Sequence, residues 1–167
     1  MQRHDMDHEL SCTPERMWPL YFDDAFNIEM YERGLGFPSC QILERRDDGE
    51  KLVRRMAMTP KLEMPRAVAK IVGDRVGYEE IGDWVRSEGV YRWRLVLAAF
   101  GDKLRVTGTM RLVPHGVGHC RRVVQFEVDA NMFGIGTLVE KTAAKNTLDG
   151  WDNSAKWINS YLAAHPG

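Results

Sequence analysis

The stretch GIGTLVEKTAAKNTLDGWDNSAKWINSYLA, residues 134–163, decides the fold of this chain. Apolar residues recur in it every three to four positions, which is the spacing of a helix that buries one face. This face is apolar at both ends, but its middle carries Asn146, Gly150 and Ser154, which are small or polar. A helix that only fills a core would place large apolar side chains there, because protein interiors are close-packed. We therefore expect open space above the middle of this helix.

Length and composition indicate one globular domain over residues 1–167. The formal net charge is −1, with 44% hydrophobic and 28% charged residues, and these values are ordinary for a globular protein. A chain without excess positive charge offers no electrostatic basis for binding nucleic acid. The longest apolar run, residues 95–100, is far shorter than the ~20 residues of a membrane helix. We expect no nucleic-acid partner, no stable membrane insertion, and a monomer or weak dimer.

The cysteines and the N-terminus indicate the compartment. Cys12, Cys40 and Cys120 are odd in number and far apart, which argues against a disulfide framework and fits a reducing environment. The first residues lack the apolar segment of a signal peptide. We therefore expect a cytoplasmic protein.

The chain before the long helix reads as one strand, two short helices and a run of further strands. Residues 3–10 alternate as a strand, and Thr13 followed by Pro14 is typical of a helix start. A second short helix is expected at residues 23–33. After Pro38 the spacing changes to the period of two that is typical of half-buried strands. We expect strands at residues 40–46, 52–59, 78–85, 90–100, 104–112 and 120–129, and a short helix at 66–72. This is an α+β plan in which the terminal helix covers the dry face of the sheet.

Three short motifs carry a resemblance to a known superfamily. The segment TPERMW at residues 13–18 resembles the opening helix of the START-like, polyketide cyclase (helix-grip) superfamily. The segments GTMRL at 108–112 and GTLVEK at 136–141 resemble the penultimate strand and the last helix of one uncharacterised bacterial START-like family. The resemblance covers nearly the whole chain, although residues 132–134 lack the proline expected before the last helix. It implies a curved antiparallel sheet of about seven strands wrapped on a long C-terminal helix, with two short helices after strand 1.

The resemblance leaves three functions open, because the superfamily includes lipid carriers, polyketide cyclases and chaperones. The chain is expected to bind a small hydrophobic or amphipathic ligand such as a lipid between sheet and helix, with transfer of that ligand left open. The first alternative is an enzyme of the polyketide cyclase or aromatase type, in which Glu80, Tyr91 or Arg122 holds and protonates a polyketone. The second is a protein-interaction module with a filled core.

The residues expected to line a ligand cavity lie on the inner faces of the strands and on the terminal helix. They are Met56, Met58, Trp84, Tyr91, Trp93, Leu95, Val106, Met110, Arg122, Val124, Phe126, Leu138, Asn146, Gly150 and Ser154. Ligand access is expected between residues 134–138 and the loops at 37–38 and 59–65. The glycines of that helical turn either ease its deformation or only allow close packing on the sheet.

Arg122 is the most unusual of these residues, because it alternates in phase with apolar neighbours and is therefore expected to point inward. A buried arginine needs a carboxylate partner or an anionic ligand, since an unpaired buried charge is unfavourable. Glu80 or Asp83 is the expected partner, and the alternative is the carboxylate headgroup of a ligand. The face that Glu80 occupies stays open, because both faces of its strand carry apolar residues.

No metal, cofactor or nucleophile motif emerges from the sequence. His4 and His8 lie ~13 Å apart along a strand, too far to share one ion, and are expected to be solvated. His115, His119 and Cys120 surround a turn that is also expected to be solvated. No Ser/His/Asp or Cys/His arrangement, P-loop or dinucleotide-binding motif is present.

Overall fold

A seven-stranded antiparallel sheet forms the frame of the molecule, in the order β1-β7-β6-β5-β4-β3-β2. The computed structural model describes residues 1–167. Its strands are β1 (Gln2–Leu10), β2 (Ser39–Asp47), β3 (Lys51–Thr59), β4 (Tyr78–Val85), β5 (Val90–Leu97), β6 (Leu104–Pro114) and β7 (Cys120–Ala130). Its helices are α1 (Pro14–Tyr21), α2 (Asp24–Glu29), α3 (Arg66–Val72) and α4 (Gly136–Ala164). The expected α+β helix-grip plan is confirmed, including the two short helices after β1 and the long C-terminal helix.

Alternation along the strands decides which side chains face α4. In β7, Arg122, Val124, Phe126 and Val128 are all buried, while the residues between them are more exposed. The register places Val124 opposite Met110 of β6, which is also fully buried. One face of the sheet is therefore dry, and the opposite face carries most of the charged side chains.

The two short helices begin as their sequences predict, but the second is shorter. Thr13 caps α1 through a hydrogen bond from the Arg16 amide, and Asp23 caps α2. The expected helix at residues 23–33 ends at Glu29, and a π-helical turn, Met30–Gly34, follows. A Cβ on Gly34 would lie 2.7 Å from the Trp157 ring. The wider turn thus brings backbone without a side chain against α4.

Two other boundaries differ from the sequence expectation. The strand expected to reach residue 100 ends at Leu97, because the Phe100 amide turns back to the Leu97 carbonyl at 3.1 Å. The proline expected before α4 is replaced by Gly134, which has φ of 77°. Only glycine adopts this left-handed conformation readily, so the sharp turn into α4 is still made.

The C-terminal end of the long helix contributes side chains to the main core. Ile158 and Leu162 are buried in the main core with Phe26 and Val128. On the other side of the sheet centre, Trp18 of α1 stacks on Trp84 with 4.6 Å between ring centroids. None of the helices is both long and apolar enough to cross a membrane.

Candidate functional site

A cavity of about 250 Å³ lies between the inner face of the sheet and the middle of α4. Its helical wall runs from Val139 to Ser154, and the segment 60–64 closes one side. Aromatic side chains from every part of the chain contribute to the wall. They are Tyr21, Tyr31, Phe37, Tyr78, Trp93, Phe100 and Trp151. This volume is just below the ~300–1,000 Å³ typical of pockets for small molecules.

The middle of α4 borders this cavity through its small and polar residues. A Cβ added to Gly150 would meet no atom within 4 Å, so the glycine leaves space rather than fitting a close contact. Asn146 donates to the Glu63 carbonyl at 2.8 Å and accepts from the Glu63 amide at 3.3 Å. Lys145 also lies 3.5 Å from the Glu63 carboxylate. These contacts hold the segment 60–64 against the helix.

The structure brings together one group of the residues expected to line a cavity. Those that border the 250 Å³ space are Trp93, Leu95, Val106, Arg122, Asn146, Gly150 and Ser154. They come from β5, β6 and β7, which are neighbours in the sheet, and from α4. Their role as ligand contacts stays a prediction.

The remaining expected residues lie on the inner face but not along the cavity. Met56 and Met58 pack with Cys40 in a small separate cluster. Met110, Val124, Phe126 and Tyr91 lie in the main core, with Trp84 and Leu138 packed against it. A side chain on the inner face of the sheet does not necessarily border the cavity, because helices α1 and α2 cover part of the same face. The helical wall also begins at Val139, beyond the turn 134–138 that was expected to form the mouth.

Sequence analysis missed the part of the wall that comes from loops and short helices. Tyr21 ends α1, Tyr31 lies in the π-helical turn, and residues 60–64 follow β3. The apolar side of α1 identifies Tyr21 as buried, but nothing in the spacing indicates that it reaches this cavity. The segment 60–64 carries no periodic signal at all.

One polar group on the inner face is internally paired, and we call it the Arg54 cluster (Arg54, Glu80, Tyr91 and Tyr21). Arg54 donates to the Glu80 carboxylate at 3.4 Å and to the Tyr21 carbonyl at 2.6 Å. Tyr91 donates its hydroxyl to the same Glu80 oxygen at 3.1 Å. A Cβ on Gly82 would clash with that hydroxyl, so this glycine provides the room for Tyr91 to reach Glu80.

The cluster settles the orientation of Glu80, which is 4% exposed and borders the cavity. Burial raises the pKa of Tyr21 and Tyr78 above the ordinary phenol value, and these hydroxyls therefore stay protonated. Burial alone lowers the pKa of Arg54, but the Tyr91 and Glu80 oxygens outweigh it and raise the pKa above its ordinary value. The cluster thus holds an ion pair surrounded by neutral hydroxyl groups.

The second polar group is the Arg122 cluster (Arg122, His8, Trp151 and Ser154). Arg122 Nη2 donates to the Trp151 carbonyl at 2.8 Å and to Ser154 Oγ at 3.0 Å. It also lies 3.3 Å from His8 Nδ1. The expectation that Arg122 points inward is confirmed, since it is 1% exposed.

The expected pairing of Arg122 with Glu80 or Asp83 is wrong. Glu80 is bound to Arg54, and Asp83 alternates with the inward-facing Gly82, so it lies on the outer face. The guanidinium of Arg122 meets only neutral acceptors, and its buried Nε has no partner. Burial accordingly lowers the pKa of Arg122 to about 10.

The two histidines of β1 face inward instead of lying in solvent as expected. His4 stacks on Phe126 with 4.9 Å between ring centroids, and His8 connects Arg122 to Asp152. An arginine can only donate, so His8 Nδ1 accepts and the neutral ring carries its proton on Nε2. That nitrogen then donates to the Asp152 carboxylate at 2.8 Å. Burial lowers the pKa of His8, in agreement with a neutral ring.

Sequence comparison places the chain among proteins whose role is undetermined. A profile of the family described as "Protein of unknown function (DUF2505)" matches residues 5–162. No curated protein matches the sequence. The family match covers nearly all of the sheet and α4, and therefore includes both polar clusters.

Comparison with solved structures identifies the fold. A START superfamily protein from Mycobacterium smegmatis is 19% identical with a TM-score of 0.60, covering 96% of this chain and 98% of its own. The ZhuI aromatase/cyclase from Streptomyces sp. R1128 is 10% identical with a TM-score of 0.67, covering 99% and 98%. Norcoclaurine synthase from Thalictrum flavum, in complex with dopamine and hydroxybenzaldehyde, is 16% identical with a TM-score of 0.65, covering 99% and 88%. At these identities the likeness concerns the fold, which is START-like.

Proposed function

Because the chain belongs to the DUF2505 family of proteins of unknown function and has a START-like fold, we propose that it binds a small, mainly apolar molecule between its sheet and α4. Residues 1–167 act as one domain in this proposal. The observation that carries it is the 250 Å³ cavity above the small, polar middle of the longest helix. A helix face left open in this way has no role in a close-packed core.

The cavity volume limits the size of the ligand. At ~30 Å³ for each water in the liquid, the space corresponds to about eight water molecules. It therefore suits a compound with one or two rings or a medium-length chain better than a lipid with two long chains. The aromatic walls, such as Trp93 and Trp151, favour a flat apolar body that stacks against them.

The solved structures of this fold support a ligand cavity in a general way. Their descriptions include an aromatase/cyclase and a synthase with two small aromatic compounds bound. We extend to this chain only the binding of a small molecule. Since its three cysteines are free thiols, we also place the protein in a reducing compartment, the cytoplasm.

The test is binding of N-phenyl-1-naphthylamine, an uncharged fluorescent probe, to the wild-type protein and to Gly150→Leu. The leucine side chain projects into open space, so it fills the cavity, and it favours the helix more than glycine does. We expect the wild type to bind the probe and Gly150→Leu to lose this binding with unchanged circular dichroism. Gly150→Ala, which adds one methyl group, is the matched control and should keep most of it.

A wild-type protein that binds no apolar probe contradicts the proposal and favours a filled-core interaction module. Equal binding by Gly150→Leu and the wild type also contradicts it, because the probe would then occupy another place.

A second candidate function is an enzyme of the cyclase type, favoured by the position of Glu80 at the cavity wall. Its carboxylate, held by Tyr91 and Arg54, is able to accept a proton from an acidic C–H or O–H group. The test is to measure turnover of ester, thioester and polyketone substrates by the wild type and Glu80→Gln. Turnover that disappears in Glu80→Gln while probe binding persists would show catalysis in addition to ligand binding.

A further inference from the structure

We propose that Arg122 receives the carboxylate of the cavity ligand, so that the ligand is a small apolar monocarboxylic acid. This inference rests on the proposed function and specifies its ligand class. It starts from an arginine that is buried at the wall of the cavity and has no anionic partner.

The hydrogen bonds of Arg122 leave its charge without direct compensation. Its three acceptors are a carbonyl, a hydroxyl and an imidazole nitrogen, and they share the two hydrogens of Nη2. The buried Nε donates to nothing. Guanidinium groups bind carboxylates through two parallel N–H···O bonds, and a free Nε is the kind of donor such a bond uses.

The carboxylates around the cavity are already engaged with other groups. Glu80 belongs to Arg54, and Asp152 is bound to His8. Glu63 and Asp149 contact Lys145 at the exposed side of the helix. Arg122 is therefore the one buried cation at the cavity that no carboxylate contacts directly, since the neutral His8 ring stands between it and Asp152, and a bound monoanion supplies that contact. A dianion such as a phosphate monoester would leave a second negative charge buried without a partner.

The geometry around Arg122 suits an acid attached to a flat body. The guanidinium lies 4.7 Å from the centroid of the Trp151 ring, and that ring also forms part of the cavity wall. Trp151 and Ser154 hold the guanidinium from the helix, while His8 holds it from β1. The group is thus fixed before a ligand arrives, and little entropy is lost when a carboxylate binds.

The experiment compares three compounds of nearly the same shape by calorimetry near neutral pH. They are 2-naphthoate, which is a monoanion, 2-naphthamide, which is neutral, and 2-naphthyl phosphate, which carries up to two negative charges. We expect the wild type to bind the naphthoate at least ~10-fold more tightly than the amide, since hydrogen bonds between charged groups are the stronger ones. The phosphate should bind more weakly than the naphthoate.

Variants assign this preference to Arg122. Arg122→Met should remove the preference of naphthoate over naphthamide and change amide binding by less than ~3-fold. Arg122→Lys keeps the positive charge but cannot donate two parallel hydrogen bonds to a carboxylate, and it should retain part of the preference. Arg55→Met removes an arginine of the outer face that is paired with Glu79, and as the matched control it should keep the full preference.

The outcomes separate this inference from the proposed function. If naphthoate and naphthamide bind the wild type equally, or if Arg122→Met keeps the preference, the assignment to Arg122 is wrong while the cavity function stands. If the phosphate binds most tightly, the ligand class is wrong. If the protein binds none of the three naphthyl compounds and does not bind the neutral fluorescent probe, the proposed function itself fails. The wild-type ratio decides the ligand class even if Arg122→Met does not fold.

Discussion

Arg54 and Arg122 occupy similar surroundings, but Arg54 is paired with a carboxylate and Arg122 is bound only to neutral acceptors. Each is 1% exposed on the inner face of the sheet, and each lies over aromatic rings, Tyr21 and Phe22 for the first and Trp151 for the second. Arg54 has the Glu80 carboxylate, and its pKa is raised. Arg122 has only neutral acceptors, and burial lowers its pKa. The Nε of each arginine lacks a partner, so the difference lies in the carboxylate. The charge of Arg54 is paired within the chain, whereas in our proposal the charge of Arg122 is paired by the ligand.

The largest effect expected from this comparison is on stability. Arg54→Met leaves Glu80 buried without its partner, and losing one member of a buried ion pair lowers the free energy of unfolding by ~3–5 kcal/mol. Arg122→Met removes an unpaired charge and leaves neutral groups behind, so we expect a loss of no more than ~1.5 kcal/mol. Urea denaturation of both variants measures the difference.

The outer-face variant Arg55→Met serves as the control for loss of an arginine as such. Its ion pair with Glu79 is partly exposed, and a pair of this kind contributes ~0–1 kcal/mol. If Arg54→Met and Arg122→Met lower the free energy of unfolding equally, the proposed distinction between the two clusters is wrong.

A smaller change in the free energy of unfolding is expected when the second charge of the Arg54 cluster is also removed. Glu80→Gln in the Arg54→Met background neutralises the stranded carboxylate, so the double variant should recover ~1–3 kcal/mol of the loss. A double-mutant cycle in urea gives this coupling. Additive losses would mean that Arg54 and Glu80 are close but not energetically coupled.

The smallest effect concerns the pH dependence contributed by His8 beside Arg122. Burial lowers the pKa of His8 below its ordinary 6.5, so the folded state binds this proton less readily than the unfolded state. The contribution of His8 to the free energy of unfolding is therefore complete above about pH 6.5. It is lost as the pH falls toward the lowered pKa of His8 in the folded state. The free energy of unfolding should decrease by up to ~1.4 kcal/mol for each pH unit in this range.

His8→Asn provides the comparison, because an amide oxygen still accepts from Arg122 but does not titrate. We expect a flatter stability profile below about pH 6.5 for this variant. Glu79 and Glu140 have a pKa below the ordinary 4.5, so their contributions are lost only at lower pH. Identical slopes for both proteins would contradict the assignment to His8.

The sequence predicted the frame of the molecule because each element carries its own signal. Strict alternation gave β6 and β7 almost to their ends, and the stripe in residues 134–163 gave α4 within two residues at its start. The same alternation placed Arg122 on the inner face. These are local patterns, and burial of one face is sufficient to produce them.

The partners of the buried charges could not be predicted, because they depend on register between strands. Arg54 meets Glu80 because the register of β3 against β4 places Arg54 opposite Gly82, two residues from Glu80 on the same face of the sheet. The spacing of residues along the sequence does not indicate this contact between Arg54 and Glu80. The cavity wall depends on Tyr21, Tyr31 and the segment 60–64, which come from loops and short helices and are brought together only by the complete fold.

The most direct test of the account is a crystal structure of the protein with 4-bromobenzoate, whose bromine is located by its anomalous signal. We expect the bromine inside the cavity and the carboxylate oxygens at hydrogen-bond distance, ~2.7–3.2 Å, from Nε or a terminal nitrogen of Arg122. A cavity that holds only water at a saturating concentration of the acid would contradict the account. A bound ring whose carboxylate points away from Arg122, toward the segment 60–64, would contradict it as well.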